Sequence, residues 1–220
     1  VANASHDLRT PLTTLKTAIE VTLKMGPIPY KKMKGVLESN LEDVNALEKL
    51  TNNLLIIEKF SNGLDKNEFS VVQMDKLVKE CVNRMIPKAK VRNVKIAIKT
   101  SPITITGNKQ ALYEMVNNFL DNAIKYNKPS GRVDVKLYIQ GTNMVLQIKD
   151  TGVGIESVEI PHIFERFYRA DKARTFGEGG YGLGLAIAYQ VIKGHKGKVD
   201  VESVIGKGSI FSIQIPLGKV

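Results

Sequence analysis

From Ala4 to Lys24 the apolar residues Leu8, Leu12, Leu15, Ile19 and Leu23 recur at intervals of three and four, the spacing of one helical face. Gly26, Pro27 and Pro29 interrupt this pattern, because glycine favours non-helical angles and proline lacks the N–H that a helix needs. A second stripe runs from Tyr30 to about Phe60. Met33, Leu37, Asn40, Val44, Leu47, Thr51 and Leu54 keep a seven-residue period, and Val36, Leu41, Leu50, Leu55 and Ile57 widen it. The two segments predict a helical hairpin. So wide a stripe is more than one hairpin covers by itself, so two copies are expected to pair as a four-helix bundle, a homodimer. The alternative is a hairpin packed on its own C-terminal domain.

Ser61-Asn62-Gly63 ends the second helix and begins a polar stretch. The chain therefore divides into a hairpin (1–61), a linker (62–69) and a second domain (70–220). In that domain the pattern predicts helices at Met74–Met85, Lys109–Tyr126 and Leu183–Lys193. Strands are predicted at Val94–Lys99, Ile103–Thr106, Arg132–Gln140, Met144–Asp150, Lys198–Ser203 and Ser209–Pro216. Helices between adjacent antiparallel strands point to an α/β sandwich, one sheet with helices on one face. The fold class is thus α plus α/β.

Composition narrows the function. A chain of 220 residues that is 43% hydrophobic and 25% charged is an ordinary globular protein of about two domains. No apolar run of about 18 residues occurs, and VANASHDLRT has no signal-peptide pattern, so the chain is expected to be soluble and to make no membrane contact. It starts inside a helix without a Met, so it is expected to be a piece of something longer, and that piece is expected to be cytoplasmic. The single Cys81 and three scattered histidines give neither a disulfide nor zinc-ligand spacing. The net charge is +10; residues 1–61 carry 8 Lys+Arg against 7 Asp+Glu, leaving 24 against 15 for residues 62–220. That excess is scattered, without a basic run or interleaved aromatics, so no nucleic-acid partner is expected.

Several residues can carry chemistry. His6 lies on the polar side of the first helix with Arg9, Thr10, Thr13 and Thr17. The adjacent Asp7 can accept a hydrogen bond from one ring nitrogen, fixing the tautomer and leaving the other nitrogen free to attack phosphorus. Pro11 removes the helix hydrogen bond to the Asp7 carbonyl and bends the helix there. In NNFLDNAIKYN, Asn118 and Asn122 are four apart and share a face. A neutral amide oxygen there can ligate Mg²⁺ while nucleotide phosphates supply the negative charge; the alternative is a pair of helix-face amides with no ligand. DTGVGI ends a strand with Asp150, whose carboxylate can accept from an exocyclic amine, while Gly152 and Gly154 let the backbone approach a bound group. Gly180, Gly182 and Gly184 in GGYGLGLAIA stand before a helix, where free amides and the helix dipole hold phosphate. A flexible turn is the alternative, and the cluster is neither a Walker loop nor a dinucleotide fingerprint.

ASHDLRTPL resembles the phosphoacceptor box of sensor histidine kinases of two-component systems. NNFLDNA, DTGVGI, FERFYR and GYGLGL, in that order, resemble the N, G1, F and G2 boxes of histidine-kinase ATP-binding domains of the GHKL (Bergerat) type, and GKGSIF the later glycine box. The resemblance spans nearly the whole chain. It implies phosphorylation of His6 by ATP, with Asp7 assisting as a base where many members carry Glu, and Thr10 positioning water for dephosphorylation of a partner. It further implies Mg²⁺ on Asn122, phosphate contacts near Asn118, Lys125 and Arg169, adenine on Asp150, Tyr126 near the nucleotide, and a mobile lid from about Gly154 to Gly182. Gly184 begins the phosphate-holding helix. Phe164 and Phe167 would anchor the lid or serve only as core aromatics, and Tyr181 replaces the small residue often found between the two glycines. The implied partner is a response-regulator receiver domain, and the implied parent protein is anchored in the cell membrane. ATPases of the same fold resemble E-x-x-x-N-A in the helix, with Glu activating water. Asn118 stands in that place here, which favours transfer to a protein nucleophile over hydrolysis.

Overall fold

The computed structural model describes residues 2–26, 29–61, 64–169 and 181–217, with residues 2–11, 49 and 61 described by their backbone alone. The chain forms two compact units, residues 1–56 and 57–220.

The first unit holds α1 (Ala2–Lys24) and most of α2 (Tyr30–Ser61). α2 starts where the sequence places it: the Pro29 carbonyl accepts from the N–H groups of Lys32 and Met33 (2.9 and 3.1 Å). Proline suits this place because its carbonyl can open a helix although it has no N–H to give. Several apolar stripe residues are left open to solvent, Leu12 at 56% and Leu37 at 60% among them.

The second unit begins with the last turn of α2, where Ile57 and Phe60 are buried. It continues as β1 (Ser70–Gln73), α3 (Met74–Val91), β2 (Lys95–Thr100), β3 (Thr104–Gly107), α4 (Lys109–Lys125), β4 (Arg132–Gln140), β5 (Asn143–Asp150), α5 (Gly184–Gly194), β6 (Lys198–Val204) and β7 (Gly208–Pro216). Five strands form one sheet in the order β2-β4-β5-β7-β6, and β1 and β3 form a separate antiparallel pair. Within the large sheet β2 and β4 run parallel and the other neighbours antiparallel.

Register explains the core. Leu137 faces Leu146 and Leu146 faces Ile213; Val135 faces Ile148 and Ile148 faces Phe211. All are buried, so alternate residues of β4, β5 and β7 make one apolar face. α4 covers it with Leu112, Met115, Val116, Phe119, Leu120 and Ile124, and packs against α3 on one side and α5 on the other. Phe119 reaches Phe211 with ring centroids 5.3 Å apart.

Three details depart from the sequence expectation. β1 is too short, at four residues, to show an alternation, and pairing with β3 creates it. α3 runs on through Pro87 to Val91, since burial of Ala89 and the Val94 N–H bond to the Ala89 carbonyl (2.8 Å) hold its last turn. β2 pairs parallel with β4 because β3 and α4 intervene and no hairpin links them.

Candidate functional site

Asp150 closes β5 on the core-facing parity, opposite Val133, and is only 7% exposed. Its Oδ1 accepts from the Gly152 N–H (2.8 Å) and the Ser209 N–H (3.3 Å). Burial pushes its carboxyl above the ordinary aspartate value, and those two hydrogen bonds act the other way. Among the described residues no donor reaches Oδ2, which leaves that oxygen to accept from a ligand.

The turn after Asp150 admits only glycine at its tight points. A Cβ on Gly152 would lie 2.2 Å from the Tyr126 carbonyl oxygen and 2.8 Å from Asp150 Oδ1. The Val153 N–H bonds that same carbonyl (3.1 Å), so the end of α4 is tied to the turn. Gly154, at φ +73°, faces the β6–β7 turn, where a Cβ would meet the Val204 carbonyl at 2.2 Å.

α4 supplies the next wall. Asn118, Asn122 and Lys125 follow at i, i+4 and i+7, all half-buried beside the core face. Asn118 Nδ2 donates to the Glu114 carbonyl (3.0 Å), which aims its Oδ1 toward the start of α5; a Cβ on Gly184 would lie 2.7 Å from that oxygen. The N-terminal amides of α5 therefore stand against the Asn118 amide. The Asn122 side chain has no hydrogen bond among the described residues. Lys125 Nζ sits 5.0 Å from the centre of the Tyr126 ring. Burial raises the Tyr126 hydroxyl above its usual pKa, Arg169 opposes this, and Asp121 adds to it, so Arg169 lies within electrostatic reach of Tyr126.

The segment between Gly154 and Arg169 is a chain of turns, held to α5 by Phe164, whose ring stacks on Tyr189 at 5.1 Å. Phe167, at φ +66°, donates its N–H to the Gly182 carbonyl (3.2 Å). Gly182 takes φ +67°, and a Cβ there would meet the Tyr168 carbonyl at 2.5 Å. Gly180 and the rest of the expected lid from 170 to 180 lie outside the described residues.

Asn118, Asn122, Lys125, Tyr126, Asp150, Gly152, Arg169, Gly182 and Gly184 thus belong to the junction of α4, the end of β5 and the start of α5. Gly154 shapes the neighbouring turn. His6, Asp7 and Thr10 lie on α1 in the other unit, with side chains outside the described residues. Two residues of the site had no assigned role from sequence, Ser209 and Gly208. Gly208, at φ +103°, lets its chain pass where a Cβ would be 2.1 Å from the Asp150 carbonyl. Their signal was the GKGSIF glycine pair.

The site combines an acceptor carboxylate at the end of β5, the helix-terminal amides of α5 beside Asn118, and two cations, Lys125 and Arg169, near Tyr126. That polarity matches an amine-bearing base with a phosphate chain. Among the described residues no group of three or more His, Cys, Asp or Glu can hold a metal ion, and no helix is long and apolar enough to cross a membrane.

Comparison with known proteins agrees. Residues 107–219 match the model of the histidine kinase-, DNA gyrase B-, and HSP90-like ATPase family, and residues 1–63 match the His Kinase A (phospho-acceptor) domain. The chain is 32% identical over 221 residues to the sensor histidine kinase RppB of Synechocystis, covering all of this chain and 49% of that protein. It spans about half or less of the length of the curated relatives it matches. The solved mycobacterial sensor histidine kinase MprB is 32% identical, with a TM-score of 0.62 over 67% of this chain and 97% of that one. The histidine kinase ThkA, solved in complex with response regulator protein TrrA, shares the fold at a TM-score of 0.77 and 21% identity, over 99% of this chain and 60% of that one. A phospho-acceptor domain followed by this ATPase domain makes the chain a member of the two-component sensor histidine kinases.

Proposed function

We propose that the chain is the catalytic core of its parent kinase, binding Mg-ATP at the α4–β5–α5 junction and phosphorylating its own His6. What carries this reading is the presence in one chain of a phospho-acceptor domain and an ATPase domain whose site pairs an acceptor carboxylate with phosphate-binding amides. Adenine would donate its exocyclic amine to Asp150 Oδ2. The phosphates would lie toward the start of α5, Asn118, Lys125 and Arg169.

A divalent cation fits as a companion of the nucleotide rather than a resident: the protein offers the neutral amide oxygen of Asn122 and, among the described residues, no acidic cluster. When bound, Mg²⁺ on Asn122 would neutralise phosphate charge. The neutral imidazole of His6 then attacks the γ-phosphorus, the bond to the bridging oxygen breaks, and ADP leaves with its electron pair. Asp7 holds the proton on the other ring nitrogen. Positioning supplies most of the catalysis, and Asn118 in place of a carboxylate leaves water without a base.

The phosphoryl group passes next to an aspartate of a response-regulator receiver domain, and Thr10 orients water when the same kinase removes it. Exposed stripe residues such as Leu12 and Leu37 support a homodimer through the hairpin. The likeness to sensor kinases supports a parent anchored in the cell membrane, with this core in the cytoplasm. Incubation with γ-labelled ATP tests the reading. Acid-labile label on the protein is expected, and ATP binding without label would instead favour a core that only dephosphorylates or scaffolds its regulator.

A further inference from the structure

Each of the last four carbonyls of α4 is taken. Asn122 accepts from the Tyr126 N–H (3.0 Å), Ile124 from the Asn127 N–H (3.3 Å), and Lys125 from Arg92 Nη1 (2.9 Å). The fourth, on Ala123, accepts from a side chain, Asn127 Nδ2 (3.0 Å). The same Nδ2 gives its second hydrogen to the Arg132 carbonyl (3.1 Å). Asn127 Oδ1 accepts from the Lys128 N–H (3.0 Å) and from the Thr151 hydroxyl (3.1 Å). Two hydrogens and two lone pairs are all that an amide has, so Asn127 makes every hydrogen bond open to it. Aspartate has no hydrogen to give there, and glutamine carries its amide one methylene farther out. Gly131 leaves the room, since a Cβ on it would lie 2.0 Å from Asn127 Oδ1.

Thr151 carries this network to the site. Its hydroxyl gives its hydrogen to Asn127 and accepts from the Arg132 N–H (2.9 Å), while its own N–H bonds the Arg132 carbonyl (3.1 Å). Thr151 directly follows Asp150, and Val153 is held by the Tyr126 carbonyl (3.1 Å). The turn that carries the acceptor carboxylate is therefore pinned to the end of α4 on both sides of Gly152. The pin at Val153 is backbone, which any residue but proline would form; the pin at Thr151 is written in two side chains.

We infer that Asn127, acting through Thr151, is a positioning residue for base recognition: it fixes the span between Asp150 and the α4 residues Asn122 and Lys125. This deepens the nucleotide reading above and rests on it. A base held by Asp150 and a phosphate chain held beside α4 belong to one ligand. Both are bound at full strength only when the two parts of the site keep the ligand's own span. Asn127 and Thr151 act on the base through Asp150, so losing either weakens the hold on adenine and leaves the phosphate contacts in place.

Calorimetric titration with Mg-ATP and with Mg-ITP tests this, because inosine carries a carbonyl oxygen where adenine carries the exocyclic amine and so gives Asp150 no hydrogen there. Thr151→Val keeps the side chain's shape and removes its hydroxyl. It should lower the preference for ATP over ITP at least about fivefold, and Asn127→Ala should lower it as far. Thr151→Ser, which restores the hydroxyl, should stay within about twofold of wild type. A thermal melt shows that each variant is folded; where Asn127→Ala melts below the titration temperature, Thr151→Val decides. Equal loss of ATP and ITP affinity is what a merely structural contribution gives, and it overturns the inference, as does an unchanged preference. A wild type that does not prefer ATP over ITP counts against Asp150 as the acceptor for the base, not against the positioning. The positioning is then read from hydrogen exchange of the Gly152 and Ser209 N–H groups on Asp150 Oδ1. These should exchange at least about tenfold faster in Thr151→Val, with the Phe119 N–H of α4 unchanged; equal exchange at Gly152 and Ser209 overturns it.

Discussion

Asp150→Asn separates binding from folding. The asparagine keeps an oxygen at Oδ1 for the Gly152 and Ser209 N–H groups but puts an NH₂ where Oδ2 would face the proposed nucleotide. A donor would then meet the exocyclic amine of the proposed adenine. A hydrogen bond to a charged acceptor is worth about 1.5–3 kcal/mol, which at about 1.4 kcal/mol per decade weakens nucleotide binding roughly 10- to 150-fold. Stability should move the other way. Because the folded carboxyl titrates above the ordinary aspartate value, the folded state binds the proton more readily than the unfolded chain. Its contribution is favourable at low pH and is lost as pH rises through the folded value, so at pH 7 the ionised Asp150 costs stability and a neutral isostere does not. Calorimetric titration with ATP and a thermal melt of the same samples decide. Affinity within threefold of wild type, or a melting point lower by more than about 5 °C, would refute the reasoning.

Gly152→Ala should lower both stability, by about 1–3 kcal/mol in denaturant titration, and nucleotide affinity, because its Cβ would be 2.2 Å from the Tyr126 carbonyl. Phe119→Ala, deleting a ring that is 1% exposed against Phe211, should cost about 3–5 kcal/mol and shift the melting of the catalytic unit by roughly 10 °C. Burial lowers the His195 pKa below 6.5, and the groups facing the ring are the Asn108 N–H, Phe69, the Val191 carbonyl and, through Asn108, the Glu68–Lys59 pair, with Lys196 next along the chain. The neutral ring's stabilisation is therefore complete above about 6.5 and lost as pH falls from there through the lower folded value; unfolding free energy should drop from pH 7.5 to 5.5, less steeply in His195→Gln.

Local patterns made much of this legible. The stripes of α1 and α2, the face of α4 and the alternation of β4, β5 and β7 are each written within one segment, and Asp150 inherits its inward direction from Leu146 and Ile148 by parity alone. What escaped is held together across the chain. The Glu68–Asn108 and Asn108–His195 bonds join residues 40 and 87 positions apart, and no spacing rule links them. Ser209 serves Asp150 with a backbone N–H, which any residue but proline carries, so its identity gives no hint. β1 acquires its pattern only from β3.

Transfer of phosphate from ATP to His6 underlies the function proposed above. The most direct measurement is labelling by γ-labelled ATP and Mg²⁺, comparing wild type with His6→Gln and following the label in acid and alkali. Label that is acid-labile, alkali-stable and lost in His6→Gln is expected; label that persists in His6→Gln would contradict the assignment of His6.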